Sequence, residues 1–403
     1  MTFRHPRSRT QDDRPGPEGR PMSALYDTLQ RHVDDGSVPG AVALVARGDD
    51  VEVVTVGSVD TEGTAPMARD SVFRIASITK PITAAAVLML VEDGVLGLDS
   101  PVEEWLPELA KPVVVRTPEA PVDDVVPAAR PITVEDLLSS RTGWGFPADF
   151  SLPAVQSLFT VQKDGRNLQD WPDHDTWLRL LAQVPMLHQP GEAWLYGTSS
   201  DLQGILVARA SGRTFPEFLA ERIFEPLGMQ DTAFEVPSSK RHRFTSSYAP
   251  AEDGTLHLAD TRDGDWSRVP RFHSGGGGLV STADDWLAFA RLLLNAGTSP
   301  DGHRLLSPTS VSRMTTNHLT AEQRDAVPLF LEGQGWGYGG QVDVTPADPW
   351  NVPGRYGWVG GTGTTAHMIP TTGTVAILLT QAGMANPTPT PVMRDFWGCV
   401  ACG

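Results

Sequence analysis

Two pairs of strand-forming runs near opposite ends of the chain constrain its fold more than any other feature. Residues 40–47 (GAVALVAR) and 51–57 (VEVVTVG) are strand-forming runs separated by Gly48, Asp49 and Asp50, which reads as a hairpin with a short glycine-containing turn. Residues 364–369 and 373–380 (GTVAILLT) repeat the arrangement around Pro370, Thr371, Thr372 and Gly373. The second hairpin is the natural partner of the first, which predicts one antiparallel sheet assembled from both chain ends. The clearest periodic segments between them are helical, at 82–92, 133–140, 200–210, 215–223 and 283–294. A further helix should start near Ser23, where Leu25, Leu29 and Val33 recur at helical spacing before the stop at Asp35-Gly36. The expected class is therefore α/β (α+β), a sheet flanked by helices with a mostly helical region inserted. In boundaries, residues 22–403 form one unit, its sheet part from 22–76 and about 265–403, its helical part from about 77–264.

Composition narrows the functions open to such a fold. The chain has 403 residues, 40% hydrophobic and 20% charged, enough for one large core or two modest ones. Its net charge of −17 repels phosphate backbones and anionic headgroups, so neither nucleic acid nor a membrane surface is an expected partner. Both cysteines fall in the last five residues, which fits no disulfide scaffold or cysteine-rich zinc site and suggests a reducing compartment. Residues 1–21 are rich in Arg, Pro and Asp and lack the apolar core of about 7–15 residues that a secretory signal needs, so they read as a disordered, cytoplasmic tail. The most apolar stretch, 82–91, ends at Glu92, far short of the roughly 20 residues that span a bilayer.

Chemistry is concentrated in FRIASITKPITAAAVLMLVEDG. Ser77 precedes Lys80 by three residues, which on a helix places hydroxyl and amine on one face. Pro81 is tolerated only in the first turn, so the helix begins close to Ser77. Unpaired N–H groups and the positive end of the dipole there can stabilise an oxyanion beside the hydroxyl. A neutral lysine held against a serine can act as its base. Taken alone, the same residues are also read as a helix cap and a solvated first-turn lysine.

Further segments decide between these readings. VFRIASITKPITAAAVLMLVEDGVLGLDSPV, ITVEDLLSSRTGWG, PGEAWLYGTSSDLQGILV, IFEPLGMQDTAF, GGGGLVSTADDWLAFARLLL and YGWVGGTGTTAHMIP occur in an order and spacing that resemble the penicillin-recognising serine hydrolases. These comprise class C β-lactamases, D-alanyl-D-alanine carboxypeptidases and family VIII carboxylesterases, and the resemblance covers about residues 23–385. It implies a β-lactamase/transpeptidase-like catalytic domain that needs no cofactor and no metal. By resemblance Ser77 is the nucleophile, Lys80 its base partner, and Tyr196 the tyrosine of the Tyr-x-Asn motif, able to relay a proton to the leaving oxygen. The N–H of Gly361, beside Gly360, would join that of Ser77 as the oxyanion hole.

Two departures from the family pattern carry information. Tyr196-Gly197-Thr198 replaces Tyr-x-Asn, so a hydroxyl stands where an amide would face the substrate, and recognition of a substrate amide is expected to weaken. Trp358-Val359-Gly360 replaces Lys-Thr-Gly or His-Thr-Gly, removing the cation that would hold a substrate carboxylate. Losing such a contact costs about 1.5–3 kcal/mol, one to two powers of ten in affinity. Trp at this position is similar to the family VIII pattern and favours a neutral, apolar ester. The expected function is a carboxylesterase, with acyl transfer as a variant, acting through a Ser77 acyl-enzyme on a small-molecule ester. The alternatives are a β-lactamase or D-alanyl-D-alanine carboxypeptidase and, from another class, a non-catalytic ligand- or acyl-binding protein.

Other signals read as structural. Ser274 and Gly275–Gly278 lack the Lys-Ser/Thr of a phosphate cradle and read as a tight turn before the 283–294 helix. No Gly-x-Ser-x-Gly elbow exists. His174, between Asp173 and Asp175, reads as a solvated loop. Cys399 and Cys402 lie outside any βαβ unit and read as structural. The long loops at 112–131, with five prolines, and 146–175 are expected to wall the acyl pocket.

Overall fold

The computed structural model describes residues 24–163 and 167–402; the tail expected at 1–21 lies outside them. The first valine-rich segment folds as β1 (Gly40–Arg47) and β2 (Asp50–Gly57), paired antiparallel from Gly40↔Gly57 to Arg47↔Asp50. Asp50 therefore belongs to the strand, and the turn is the two residues Gly48 and Asp49, with Gly48 at a φ of 61° that glycine adopts freely. Near the other end come β3 (Gly335–Trp336), β4 (Gln341–Val342), β5 (Tyr356–Gly360), β6 (Thr364–Ile369) and β7 (Thr374–Thr380). The two hairpins meet through β1 and β7, in register from Ala41↔Thr380 to Arg47↔Thr374. The result is a seven-stranded antiparallel sheet of order β2-β1-β7-β6-β5-β4-β3.

Burial follows from that order. β7 is buried along its whole length and β1 at every residue but Arg47, so their valines, leucines and alanines face packed side chains on both sides of the sheet. The covering helices include α1 (Ala24–Asp34), α4 (Ala283–Leu294) and α5 (Pro391–Cys402); α2 (Lys80–Glu92) and α3 (Thr198–Ser211) belong to the inserted region. α4 packs on β1, β6 and β7, α5 on β7, and α1 on β2 and α5. The two helices from the chain ends are pinned by His32 Nε2, 2.9 Å from Asp395 Oδ2.

Within the insertion, α2 is apolar on all sides because all sides are covered. Every residue from Lys80 to Leu90 is buried, and α3 packs against it. The expected helix at 133–140 is shorter, Val134–Leu138, started by a capping box of Thr133 and Asp136. That at 215–223 begins as Phe215–Leu219 and continues through a π-helical turn, Ala220–Phe224. The proline-rich 112–131 segment holds a short hairpin, Val113–Val115 with Val125–Pro127.

Candidate active site

Residues Ala76–Thr79 form a single 3-10 turn that runs directly into α2, with Pro81 in the first helical turn. In a 3-10 turn residues three apart eclipse one another, which brings Lys80 onto Ser77 more closely than an α-helix would. Lys80 Nζ lies 2.9 Å from Ser77 Oγ and also donates to the carbonyl oxygen of Gly276. The lysine is only 3% exposed, so these two contacts, and not bulk water, set the place of its amine. Ala76 holds a left-handed φ of 43°, a conformation that costs a non-glycine residue of order 1 kcal/mol and sets the direction from which Ser77 emerges.

The edge of β5 is tied to this turn. Thr362 Oγ1 donates to Arg74 O at 2.6 Å and Thr364 Oγ1 to Ile75 O at 2.9 Å. Gly360 is required by the approach: a Cβ there would stand 2.2 Å from Thr364 Oγ1 and 2.5 Å from Ile75 O. Gly361, by contrast, has no atom within 4 Å of such a Cβ and lines the same cleft as Ser77. The paired glycines thus do separate things, one admitting the strand to the serine turn and the other leaving open space beside the hydroxyl.

Tyr196 enters from the loop before α3. Lys80 Nζ stands 4.7 Å from the centre of the Tyr196 ring, and the phenol oxygen accepts a hydrogen bond from Trp358 Nε1 at 2.9 Å. The amine is over the face of the ring, whose negative π-cloud favours positive charge there. Trp358 is 3% exposed and packs edge-on against Trp336, with ring centres 4.8 Å apart. Its indole N–H is spent on Tyr196, while its ring lines the cleft beside the tyrosine.

Thr198 departs from expectation. It is fully buried as the first residue of α3, does not line the cleft, and donates its hydroxyl proton to Gln162 Oε1. Two side-chain amides line the cleft, those of Gln162, just after the helix Pro153–Phe159, and of Asn386. Gln162 Nε2 in turn donates to Asp201 Oδ2 at 3.2 Å. Asp201 is buried on α3; its Oδ1 accepts from Ser274 Oγ at 2.6 Å and from the N–H of Gly276 at 3.0 Å. Burial pushes this carboxyl above the ordinary carboxylate range, against the opposing pull of Ser274, Lys80 and the Gly276 amide.

The cleft has a volume of about 340 Å³ and is walled largely by aromatic and small residues, including Phe146, Trp171, Trp266, Phe330 and Met384. Of the loops expected to wall it, 146–175 contributes Phe146, Gln162, Lys163 and Trp171, but none of 112–131 does. Val115 and Ala120 of that segment instead pack with Val155 and Leu195 in a small separate core. The glycine run also does more than turn the chain: Gly276 and Gly277 line the cleft, and a Cβ at Gly275 would stand 2.3 Å from Ser200 O. Four consecutive glycines were the signal for such close packing. Gln162, Asp201 and Phe330 gave none, because each is brought in by tertiary contact alone.

His174 is not a solvated loop residue. It begins the helix His174–Leu181 half-buried, lies edge-on to Phe272, and its Nε2 accepts the backbone N–H of His273 at 3.1 Å. Cys399 and Cys402 are free thiols on α5. Among the described residues, no group of three or more His, Cys, Asp or Glu side chains is placed to hold a metal ion, and no helix is long and apolar enough to cross a membrane.

With this geometry in view, comparisons with known proteins agree on one ancestry. Protein Rv1367c of Mycobacterium tuberculosis is 36% identical over 363 residues, covering 88% of each chain. Esterase EstB of Burkholderia gladioli is 31% identical over 402 residues, covering 93% of each. Lovastatin esterase of Penicillium rubens is 32% identical over 358 residues, covering 83% of this chain and 86% of its own. Among solved structures, EstCE1, a hydrolase with promiscuous acyltransferase activity, shares the fold with a TM-score of 0.76 at 24% identity, over 94% of this chain and 97% of its own. The family model for beta-lactamase matches residues 25–390, which take in the Ser77 turn, α3 and the β5 edge alike: the chain belongs to the beta-lactamase family.

Proposed function

We propose that this chain is a carboxylesterase that works through an acyl-enzyme on Ser77. The observation that carries the reading is the Lys80–Ser77 hydrogen bond beside a tyrosine whose neighbour on β5 is an indole in place of a cation. Lys80 takes the Ser77 proton as Oγ attacks the ester carbonyl. The N–H groups of Ser77 and Gly361 face the oxyanion of the tetrahedral intermediate. The proton passes from Lys80 through Tyr196 to the departing alcohol, and a water then repeats the sequence to free the acid. Because the Tyr196 hydroxyl accepts from Trp358, its own proton is free to be donated.

Esterases among the relatives support this reading over lactam hydrolysis, as does the apolar wall of Phe146, Trp171 and Phe330. Transfer of the acyl group to a second alcohol is the variant that EstCE1 brings to mind. The free thiols of Cys399 and Cys402 fit the cytoplasmic location expected from the sequence. The test follows release of p-nitrophenol from short acyl esters beside a chromogenic cephalosporin, with Ser77→Ala as control. Multiple turnovers of ester that vanish in Ser77→Ala are the expected result. Faster cephalosporin cleavage would replace the reading with a lactamase, and a single burst without turnover with an acyl-binding protein.

A further inference from the structure

The sheet carries a second cavity, of about 300 Å³, between its strands and α5, and no residue lines both this cavity and the Ser77 cleft. Directly paired residues form its floor: Arg47 stands opposite Thr374, Thr374 opposite Ile369, and Ala376 opposite His367. We propose that this cavity is a binding site for an apolar monocarboxylate. Arg355 and Trp397 meet the carboxylate of this small organic acid, and its hydrocarbon body lies against Trp350, Val352 and Val400. Nothing in this site depends on the reaction at Ser77.

Three observations carry it. First, the cavity wall holds a cation whose charge is met on one side only. Arg355, 4% exposed just before β5, donates from Nη1 to Asp343 Oδ2 at 3.3 Å. That carboxylate is shared with Asn351 Nδ2 at 3.0 Å and Gln341 Nε2 at 3.1 Å. Among the described residues, Arg355 Nη2 has no hydrogen-bond partner. Buried N–H groups are nearly always paired in folded proteins, so an unpaired guanidinium group beside a cavity marks a missing acceptor. Secondly, another unpaired donor stands next to it. The guanidinium carbon of Arg355 lies 4.9 Å from the centre of the Trp397 ring, whose Nε1 has no partner among the described residues either. Trp397 is 5% exposed, and both side chains line the cavity.

Thirdly, charge and wall together select the ligand class. His367 lies edge-on to Trp397, with ring centres 5.3 Å apart, and its Nδ1 is engaged by Thr365 Oγ1 at 3.0 Å. Burial first and the Arg355 charge second hold this imidazole well below its ordinary value, so it is neutral. Arg47 stands at the rim, where its Nη2 donates to Val400 O at 3.2 Å and ties the last turn of α5 to β1. Two arginines against Asp343 leave one positive charge, which a single carboxylate balances. A phosphate dianion would bring a surplus negative charge against Trp350, Val352, Ile369 and Ala376, where nothing offsets its desolvation.

The experiment follows the indole N–H resonances of protein labelled at its tryptophans during titration with hexanoate and, in parallel, with hexanamide, which has the same chain and no charge. The Trp397 signal is assigned by its loss in Trp397→Phe and the Trp358 signal by its loss in Trp358→Phe. Hexanoate should move the Trp397 signal saturably, and hexanamide should bind about 10- to 100-fold more weakly, the worth of one charge-assisted contact. Ala376→Leu fills the cavity from the sheet and Ala401→Trp from the end of α5, and each should weaken hexanoate at least about tenfold. Arg355→Gln should do the same; where it fails to fold, the two cavity-filling variants decide. A Trp397 signal unmoved at about 50 mM hexanoate, equal affinity for acid and amide, or unchanged affinity in both cavity-filling variants would overturn the proposal. So would a shift confined to Trp358, which would put the acid in the Ser77 cleft. The titration is run in Ser77→Ala as well and should read the same there, so its outcome is separate from that of the esterase test.

Discussion

Trp358→Phe isolates the consequence of exchanging a cation for an indole. The substitution keeps an aromatic ring against Trp336 and deletes the N–H that lies 2.9 Å from the Tyr196 oxygen. In the resting enzyme that bond joins two neutral groups and is worth about 0.5–1.5 kcal/mol. As Tyr196 gives up its proton, the phenol oxygen gains negative charge and the bond strengthens toward the charge-assisted range of about 1.5–3 kcal/mol. Only the difference, roughly 1–1.5 kcal/mol, acts on the rate, which corresponds to about a tenfold slower acylation. Tyr196→Phe removes the relay itself and should cost about 10²–10⁴-fold. Stopped-flow release of p-nitrophenol measures acylation directly, and thermal melts separate the packing loss of the smaller ring from the catalytic one. Because the deleted N–H acts through the tyrosine, the double variant should be no slower than Tyr196→Phe alone, within about twofold. Multiplicative losses in the double variant, or a Trp358→Phe enzyme as fast as wild type, would refute the assignment.

Other expectations follow from the same geometry. Gly360→Ala places a methyl 2.5 Å from Ile75 O and should lower Tm by several degrees and abolish activity, whereas Gly361→Ala, with nothing within 4 Å, should melt as wild type does. Ala76→Gly relieves the left-handed φ of 43° and should leave Tm unchanged or raised while slowing acylation several-fold, because the serine turn loses its fixed direction; stopped-flow and melting data together check it. His273 is held down at about 4 by burial first and by His174 second, below the ordinary value of 6.5, so the unfolded chain binds more protons between these values. Stability is then full above the unfolded value and is lost as pH falls toward the folded one; melts from pH 7 to pH 4 should show this decline, and His273→Asn should make it shallower, the rest coming from the other histidines that burial holds down, His174, His188, His318 and His367.

What the sequence disclosed, and what it withheld, divides by the range of the interactions involved. The two hairpins are legible because short apolar, strand-forming runs around turn residues, over 40–57 and 364–380, are a local property, and the same holds for Ser77, Lys80 and Pro81, whose relation is set within one turn. The β3 and β4 strands, two residues each, are too short to carry a period and exist because Gln341 and Val342 pair with β5 on one side and β3 on the other. The resemblance puts Thr198 against substrate because it stands where the family's Tyr-x-Asn motif has its asparagine, but helix α3 begins at that residue and turns it inward onto Gln162. Gln162 and Asp201 lie 39 residues apart, and no spacing rule relates a loop glutamine to a carboxylate on α3. The local motif thus identifies the residues of the serine turn, whereas the groups packed around it, Gln162 and Asp201 among them, arrive through contacts that sequence spacing does not encode.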